Sequence, residues 1–311
     1  MNILVTGGAG FIGSHIADAY ISLGHTVFIA DNFSMGRRDF LNPKAIVIPV
    51  DIRDAEIEKI FRDHPIDIVN HHAAQIDLRK SVADPVFDAS INILGGLNLY
   101  SLCTKYSVKK IIFASTGGAI YGEQSYFPAD EQHPTNPSSP YGIAKLTNEK
   151  YLGYFSSQFD IETIILRYTN VYGPRQSPHG EAGVVAIFTD RLLQGKSVSI
   201  FGDGKQTRDY VFVGDVVKAN MAALEYRGNG IFNVSTSIET DVNQIFETLR
   251  NEIGVKTPPR YESAKSGEQR RSVCSYNHAQ EILRWAPNVS LSDGLHQTVA
   301  FFSEQNKKAA L

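Results

Sequence analysis

Tyr141 and Lys145 stand four residues apart in Pro140-Tyr141-Gly142-Ile143-Ala144-Lys145, where the proline opens a stretch of helical character. On a helix, positions i and i+4 share a face. An ammonium beside a phenol favours the phenolate and lowers the phenol's pKa. The spacing therefore predicts that Tyr141 works as a base near neutral pH, which a free tyrosine with a pKa of about 10 does not. Surface helices carry the same spacing by chance, so position has to separate the two readings. The pair follows Ala114-Ser115-Thr116-Gly117-Gly118-Ala119, which ends an apolar run. In open α/β sheets, ligands lie beyond the carboxyl ends of such strands. Thr116 is the hydroxyl expected to bond the substrate oxygen that Tyr141 deprotonates, with Ser115 as its near rival.

A second chemistry-bearing stretch lies near the start. Thr6-Gly7-Gly8-Ala9-Gly10-Phe11-Ile12-Gly13 follows the first apolar run and opens the first helical one. Gly7 lets the strand turn, Gly10 lets backbone approach a pyrophosphate, and Gly13 lets the helix pack close to the sheet. The helix N-terminus offers N–H groups and partial positive charge to phosphates. A tight turn without a ligand has the same local sequence, but the strand–turn–helix setting favours a dinucleotide. Asp31 ends the next apolar run, at about the 20-residue spacing of a ribose-binding acid. A carboxylate there accepts bonds from both adenosine hydroxyls and repels a 2′-phosphate, so NAD is expected rather than NADP. Arg37 and Arg38 are the counter-signal, although a solvated loop charge pair is the plainer reading. Asp51-Ile52 either edges the adenine or, through Asp51, caps the next helix. His71-His72 invites a metal reading. Adjacent strand residues point to opposite faces, so both read as structural and no metal site is expected.

These residues need a scaffold. The 311 residues suffice for one large α/β domain, or for a large and a small domain sharing a cleft. Ile3-Leu4-Val5, Val27-Phe28-Ile29-Ala30, Ile46-Val47-Ile48, Ile66-Asp67-Ile68-Val69, Ile111-Ile112-Phe113 and Thr163-Ile164-Ile165-Leu166 read as buried strands. Between them lie helix-length segments at about 12–23, 54–63, 85–107 and 141–158. The alternation predicts a Rossmann-type, doubly wound parallel sheet. After Leu166 the pattern loosens, which divides the chain into an NAD-binding domain (1–166) and a smaller mixed α/β substrate domain (167–311). That boundary is soft, since a segment of the second part can return to the main sheet. A net charge of −3 argues against a nucleic-acid footprint. Cys103 and Cys274, the two cysteines, cannot build a disulfide framework. With no apolar run near the ~20 residues of a membrane span and no signal peptide, a cytoplasmic protein is expected.

The chain resembles the extended short-chain dehydrogenase/reductase family and, within it, the UDP-glucose (UDP-galactose) 4-epimerases. The resemblance runs from Met1 to about residue 300. It is carried by the glycine turn, Asp31-Asn32-Phe33-Ser34, His72-Ala73-Ala74-Gln75, Asn92-Ile93-Leu94-Gly95, the Ser115–Gly122 segment and Tyr141–Lys145. Leu166–Pro174, Phe201–Gly204 and Arg208-Asp209-Tyr210 add to it. It implies Thr116, Tyr141 and Lys145 as catalytic hydroxyl, base and lysine, with Lys145 also on the nicotinamide ribose. It implies cofactor contacts at Asp31, Asn32, Asp51, Ile52 and Gln75, and diphosphate contacts at Asn170 and Arg208. Gly183–Phe188 matches the region that closes over the nucleotide. The helices at about 85–107 and 141–158 match those that form a homodimer interface.

Two departures bear on substrate. Where many relatives place a second diphosphate-binding Arg and, three residues later, Asp, this chain has Lys265 and Glu268. Lys keeps the charge but not the bidentate contact. Ser272 aligns with the position that gates sugar size, which is a bulky aromatic in strict glucose/galactose enzymes. The reaction implied is epimerisation at C4 through a transient 4-keto sugar, with NAD as a retained cofactor. Gly117-Gly118 stand where 4,6-dehydratases have Asp-Glu. Glu181 disfavours the anionic sugar of a hexuronate epimerase or decarboxylase. A non-catalytic NAD-binding regulator is the alternative of another class.

Overall fold

The computed structural model describes residues 1–179, 183–264 and 269–309. Its elements in chain order are β1 (Asn2–Thr6), α1 (Phe11–Ser22), β2 (Thr26–Ala30), β3 (Ile46–Ile48), α2 (Glu58–Asp63), β4 (Ile68–His71), α3 (Leu78–Ala83), α4 (Pro85–Ala89), α5 (Gly95–Lys105), β5 (Lys110–Thr116), α6 (Pro140–Gln158) and β6 (Glu162–Tyr168). Then follow β7 (Asn170–Tyr172), α7 (Val184–Leu193), β8 (Ser199–Phe201), β9 (Thr207–Arg208), β10 (Tyr210–Phe212), α8 (Val213–Glu225), β11 (Gly230–Val234), β12 (Thr240–Asp241), α9 (Val242–Ile253), β13 (Arg260–Glu262), α10 (Asn277–Leu283) and α11 (Leu291–Ala309).

Seven strands form one parallel sheet in the order β11-β6-β5-β4-β1-β2-β3. The chain winds outward through β2 and β3, then crosses to β4 and winds the other way. The β1/β4 junction is therefore the topological switch point, with a cleft beyond the carboxyl ends. β11 comes from beyond residue 166 and pairs with β6, which itself runs on to Tyr168. Side chains alternate across the sheet. Ile3 and Val5 pack with Ile16 and Tyr20 of α1 and Val216 and Ala219 of α8. Leu4 packs on the opposite face with Leu99 and Tyr100 of α5 and Leu152 of α6. A separate cluster from α7, α9 and α11 fills the C-terminal part. No helix among the described residues is long and apolar enough to cross a membrane.

The single helix expected over 85–107 is interrupted. Asp84 caps its start by accepting from Phe87 N, and residues Ser90–Leu94 form a π-turn between α4 and α5. The cause is close packing on α6. A Cβ on Gly96 would collide with Asn148 Oδ1, and the carbonyl of Asn92 accepts from Asn148 Nδ2 at 2.7 Å. Such π-turns recur at functional sites.

α6 begins at Ser139, whose hydroxyl accepts from Gly142 N at 3.1 Å, with Pro140 in the first turn. Its middle is fastened to the sheet by a buried ion pair. Arg167 on β6 donates from Nε and Nη2 to Glu149 on α6 at 2.9 and 2.6 Å. Arg167 Nη1 donates to the Tyr121 hydroxyl at 2.9 Å, and Ser115 Oγ on β5 donates to Glu149 Oε1 at 2.6 Å. Both charges are under 5% exposed. Removing one member leaves the other buried and unpaired, which costs about 3–5 kcal/mol. Glu149→Gln is expected to lower the urea unfolding free energy by that amount. A change within the ~0.5 kcal/mol typical of surface sites would show that the pair does not clamp α6.

Candidate active site

Lys145 lies one turn before Glu149 on the face that meets the sheet, and it is buried. Its Nζ donates to the carbonyl of Ala114 on β5 at 2.7 Å. It stands 4.8 Å from the centre of the Phe113 ring and 5.8 Å from that of Tyr141. Burial brings the Lys145 pKa down to about 8, against the opposing pull of Asp88 and Glu149. The expectation for Tyr141 needs correction. Burial, and then the carboxylate of Asp88, push its phenol up from the ordinary value. In the protein alone, the neighbouring ammonium does not make Tyr141 a ready base.

The two hydroxyls at the end of β5 point to opposite faces. Ser115 is committed to Glu149. Thr116 Oγ1 accepts from Ala119 N at 3.2 Å and remains on the cleft side. A Cβ built on Gly118 would lie 3.9 Å from Thr116 Oγ1 and 3.8 Å from Asn170 Oδ1. Thr116 and Asn170 thus share one small neighbourhood at the sheet's carboxyl edge.

From Asn170 the site continues into the C-terminal part. Asn170 N donates to Asp209 O at 2.9 Å, where β7 pairs with β10. Asp209 is fully buried. Its carboxylate accepts from Thr236 N and Oγ1, Ser237 N and Cys274 N, while burial raises its pKa to about 6. Arg208, its neighbour, donates from Nη1 to Thr207 O. Thr207 N donates to Arg270 O at 3.0 Å. The chain from Arg270 to Cys274 therefore runs alongside Thr207–Asp209, with Ser272 at its middle and 2% exposed. Arg271 is held outside by Glu239. Lys265, Glu268 and Glu181 lie outside the described residues. Next to Asn170, a cavity of about 30 Å³ is lined by Tyr172, Gln176, Gly183, Val184, Val185 and Tyr210.

The opposite side of the cleft suits a dinucleotide. Gly7 has φ +69°, and a Cβ there would sit 2.7 Å from Ala73 N, so the turn closes against the end of β4 only with glycine. No side chain caps the N-terminus of α1 at Gly10, and Phe11, Ile12 and Gly13 form a first turn with no acidic residue. Asp31 is buried at the end of β2. Its two oxygens accept from Ala9 N at 3.0 Å and Phe33 N at 2.8 Å, which leaves lone pairs for ribose hydroxyls. Arg37 is paired with Asp39 and Arg38 lies over the Phe33 ring. Asn32 Nδ2 bonds Asp51 Oδ2 at 2.8 Å. Arg53 holds the Asp51 carboxyl down at about 2, and Asp51 bonds Arg53 N rather than capping α2. Ile52 is buried against Gly95. Both ends of the Gln75 amide are engaged, Nε2 with Asp77 O and Asp88 Oδ1, and Oε1 with Asp77 N. The rings of His71 and His72 bond separate partners, Thr6 Oγ1 and the Tyr168 hydroxyl. Burial holds both below the usual histidine range.

Sequence reasoning assigned no role to Asp209, Asp88 or the Glu149–Arg167 pair. Asp88 and Arg167 are each flanked by apolar or aromatic residues, Glu149 and Asp209 carry no such signal, and the partners of Asp209 and of the Glu149–Arg167 pair lie far away in sequence.

A model of the NAD-dependent epimerase/dehydratase family matches residues 3–235. A putative UDP-glucose 4-epimerase of Methanocaldococcus jannaschii is 46% identical over 98% of this chain and 99% of its own. The crystal structure of a UDP-glucose 4-epimerase with UDP-glucose from Thermotoga maritima matches with a TM-score of 0.97 at 49% identity, covering 98% of this chain and 100% of that one. A UDP-N-acetylglucosamine 4-epimerase of Methanobrevibacter ruminantium, in complex with UDP-N-acetylmuramic acid, matches with a TM-score of 0.93 at 35% identity over 98% of each chain. The likeness spans the whole chain and agrees with the motifs at the glycine turn and at Tyr141–Lys145, so the chain belongs to the NAD-dependent epimerase/dehydratase family.

Proposed function

We propose that this chain inverts C4 of a UDP-hexose, interconverting UDP-glucose and UDP-galactose, and that it accepts the N-acetylated pair as well. The observation that carries this reading is the bond from Lys145, one turn after Tyr141 on α6, to the carbonyl of Ala114 near the carboxyl end of β5, with Ser115 turned away into Glu149. The Gly7–Gly13 turn and Asp31 would hold NAD. When bound, NAD supplies hydride acceptance and return at C4, and its cationic ring adds the positive charge that the Tyr141 phenol lacks in the protein alone.

The chain's own groups do the rest. Tyr141 takes the proton of the C4 hydroxyl while Thr116 bonds the same oxygen. Loss of hydride from C4 leaves a 4-keto sugar. The ketone turns over in the pocket, and Tyr141 returns its proton once the other face is presented. Arg208 and Asn170 grip the diphosphate, Arg208 with the fork geometry suited to it, so the sugar turns without leaving. The UDP-glucose bound to the Thermotoga maritima enzyme supports the nucleotide and the sugar class. The name of the Methanobrevibacter ruminantium enzyme supports extension to an N-acetyl group. A second copy of the chain is proposed to cover the exposed apolar side chains Val82, Val86, Leu94, Ile143 and Tyr154, which lie along α3, α4, the π-turn before α5, and α6. Sedimentation that finds only monomers would overturn this part.

Tyr141→Phe is expected to lower turnover of UDP-galactose by about 10²–10⁴-fold with binding largely kept. Thr116→Val costs less. A drop below tenfold for Tyr141→Phe, or a greater loss from Ser115→Ala than from Thr116→Val, contradicts these roles.

The pocket wall is tested at Ser272. Wild type is expected to epimerise UDP-glucose and UDP-N-acetylglucosamine and to leave UDP-glucuronate unchanged. Ser272→Tyr fills the space that an acetamido group sweeps through. It should slow the N-acetylated sugar about ten- to a hundredfold and spare the plain one. Equal effects on both sugars would remove Ser272 from the wall.

A further inference from the structure

Asp88 on α4 is 1% exposed. Its Oδ1 accepts from Gln75 Nε2 and Asn92 Nδ2, each at 3.1 Å. Its Oδ2 is buried without a hydrogen-bond partner, as is the hydroxyl of Ser81 on the adjoining α3. An unpaired buried carboxylate oxygen is destabilising, and a native fold that keeps one calls for an explanation.

The helix contacts locate what Asp88 faces. Asn92 O meets Asn148 Nδ2, Gly96 lies against Asn148 Oδ1, and the ring of Tyr100 packs on that of Phe155 at 5.7 Å. As the number rises on one helix it rises on the other, so the α4–α5 helix and α6 run the same way. One turn back from Asn92 is Asp88. One turn back from Asn148 are Ala144 and Lys145, with Tyr141 a further turn back. α4 packs directly on α6.

We propose that Asp88 is a positioning residue whose carboxyl group, buried against α6 with one oxygen unpartnered, sets the proton affinity of the Tyr141–Lys145 pair. The inference rests on the proposed roles of that pair. Asp88 raises Lys145 against the effect of burial and adds to burial at Tyr141. The other charges facing the pair are accounted for. Glu149, which also raises Lys145, is paired with Arg167, and burial and Lys145 lower the pKa of His71 on β4 and of His72 just after it. On α3, Arg79 and Lys80 are exposed, and Asp77 is occupied by their backbone N–H groups. Asp84, also exposed, caps α4.

Asp88→Asn keeps the shape and one carbonyl oxygen for Gln75 and Asn92 while removing the charge. Loss of a negative neighbour lowers the pKa of both groups. Both limbs of the pH–rate profile should therefore move toward acid by about one unit. Asp88→Glu keeps the charge and should leave the profile in place even where tighter packing slows turnover. A readout independent of turnover is the phenolate absorbance of the NAD-loaded protein, taken as the difference between chains with and without Tyr141→Phe. Asp88→Asn should shift that titration toward acid by the same amount. Limbs and titration that stay put, or a loss of rate equal at every pH, would overturn the proposal. If the parent chain turns over no UDP-sugar, the proposed reaction fails, and the phenolate titration still decides the role of Asp88.

Discussion

The buried pair of Glu149 and Arg167 fixes the rotation of α6 against the sheet, and the candidate active site depends on that rotation. Arg167 comes from β6 and Glu149 from α6, while Ser115 on β5 completes the acceptor's shell. Two charges withdrawn from water are tolerated only when geometry and further bonds satisfy them. Here the pair is bidentate and its outer atoms reach Tyr121 and Ser115. One turn from this anchor, Lys145 has a single route to the carbonyl of Ala114, and Tyr141 follows on the same face. The pair also removes Ser115 from the cleft. Thr116, the next residue, faces the other side and keeps its hydroxyl near Gly118 and Asn170.

A dry interior shapes the electrostatics that result. Burial favours neutral forms, drawing Lys145 toward about 8 and pushing Tyr141 upward. The fixed charges nearby are few, and each is partnered except one oxygen of Asp88. On the substrate side, Asp209 plays the mechanical role that Glu149 plays beneath α6. It ties Thr236, Ser237 and Cys274 together next to Arg208 and to the backbone of Asn170.

The residues show which parts of this were legible in advance. Runs such as Ile3-Leu4-Val5 and Ile111-Ile112-Phe113 could only be strands covered on both faces, and they form the centre of the sheet. The glycine turn and the Tyr141–Lys145 spacing carry their geometry locally, which is why their places were readable. The π-turn at Ser90–Leu94 was not, because its apolar spacing is that of an ordinary helix and its cause is Asn148, far along the chain. The two-residue strands β9 and β12 give too little pattern to register. The direction of the Tyr141 shift was misjudged for a related reason. Spacing reveals Lys145 on the same helix, but neither the burial nor Asp88 on another one.

The central claim is that hydride leaves and returns to the same carbon within one closed site, with Tyr141 moving the hydroxyl proton. UDP-galactose carrying deuterium at C4, incubated with the purified protein in ordinary water, tests it most directly. The account predicts UDP-glucose that retains the deuterium at C4, with no accumulation of free reduced cofactor. Deuterium lost to solvent, or an epimer formed at a different carbon, would contradict it.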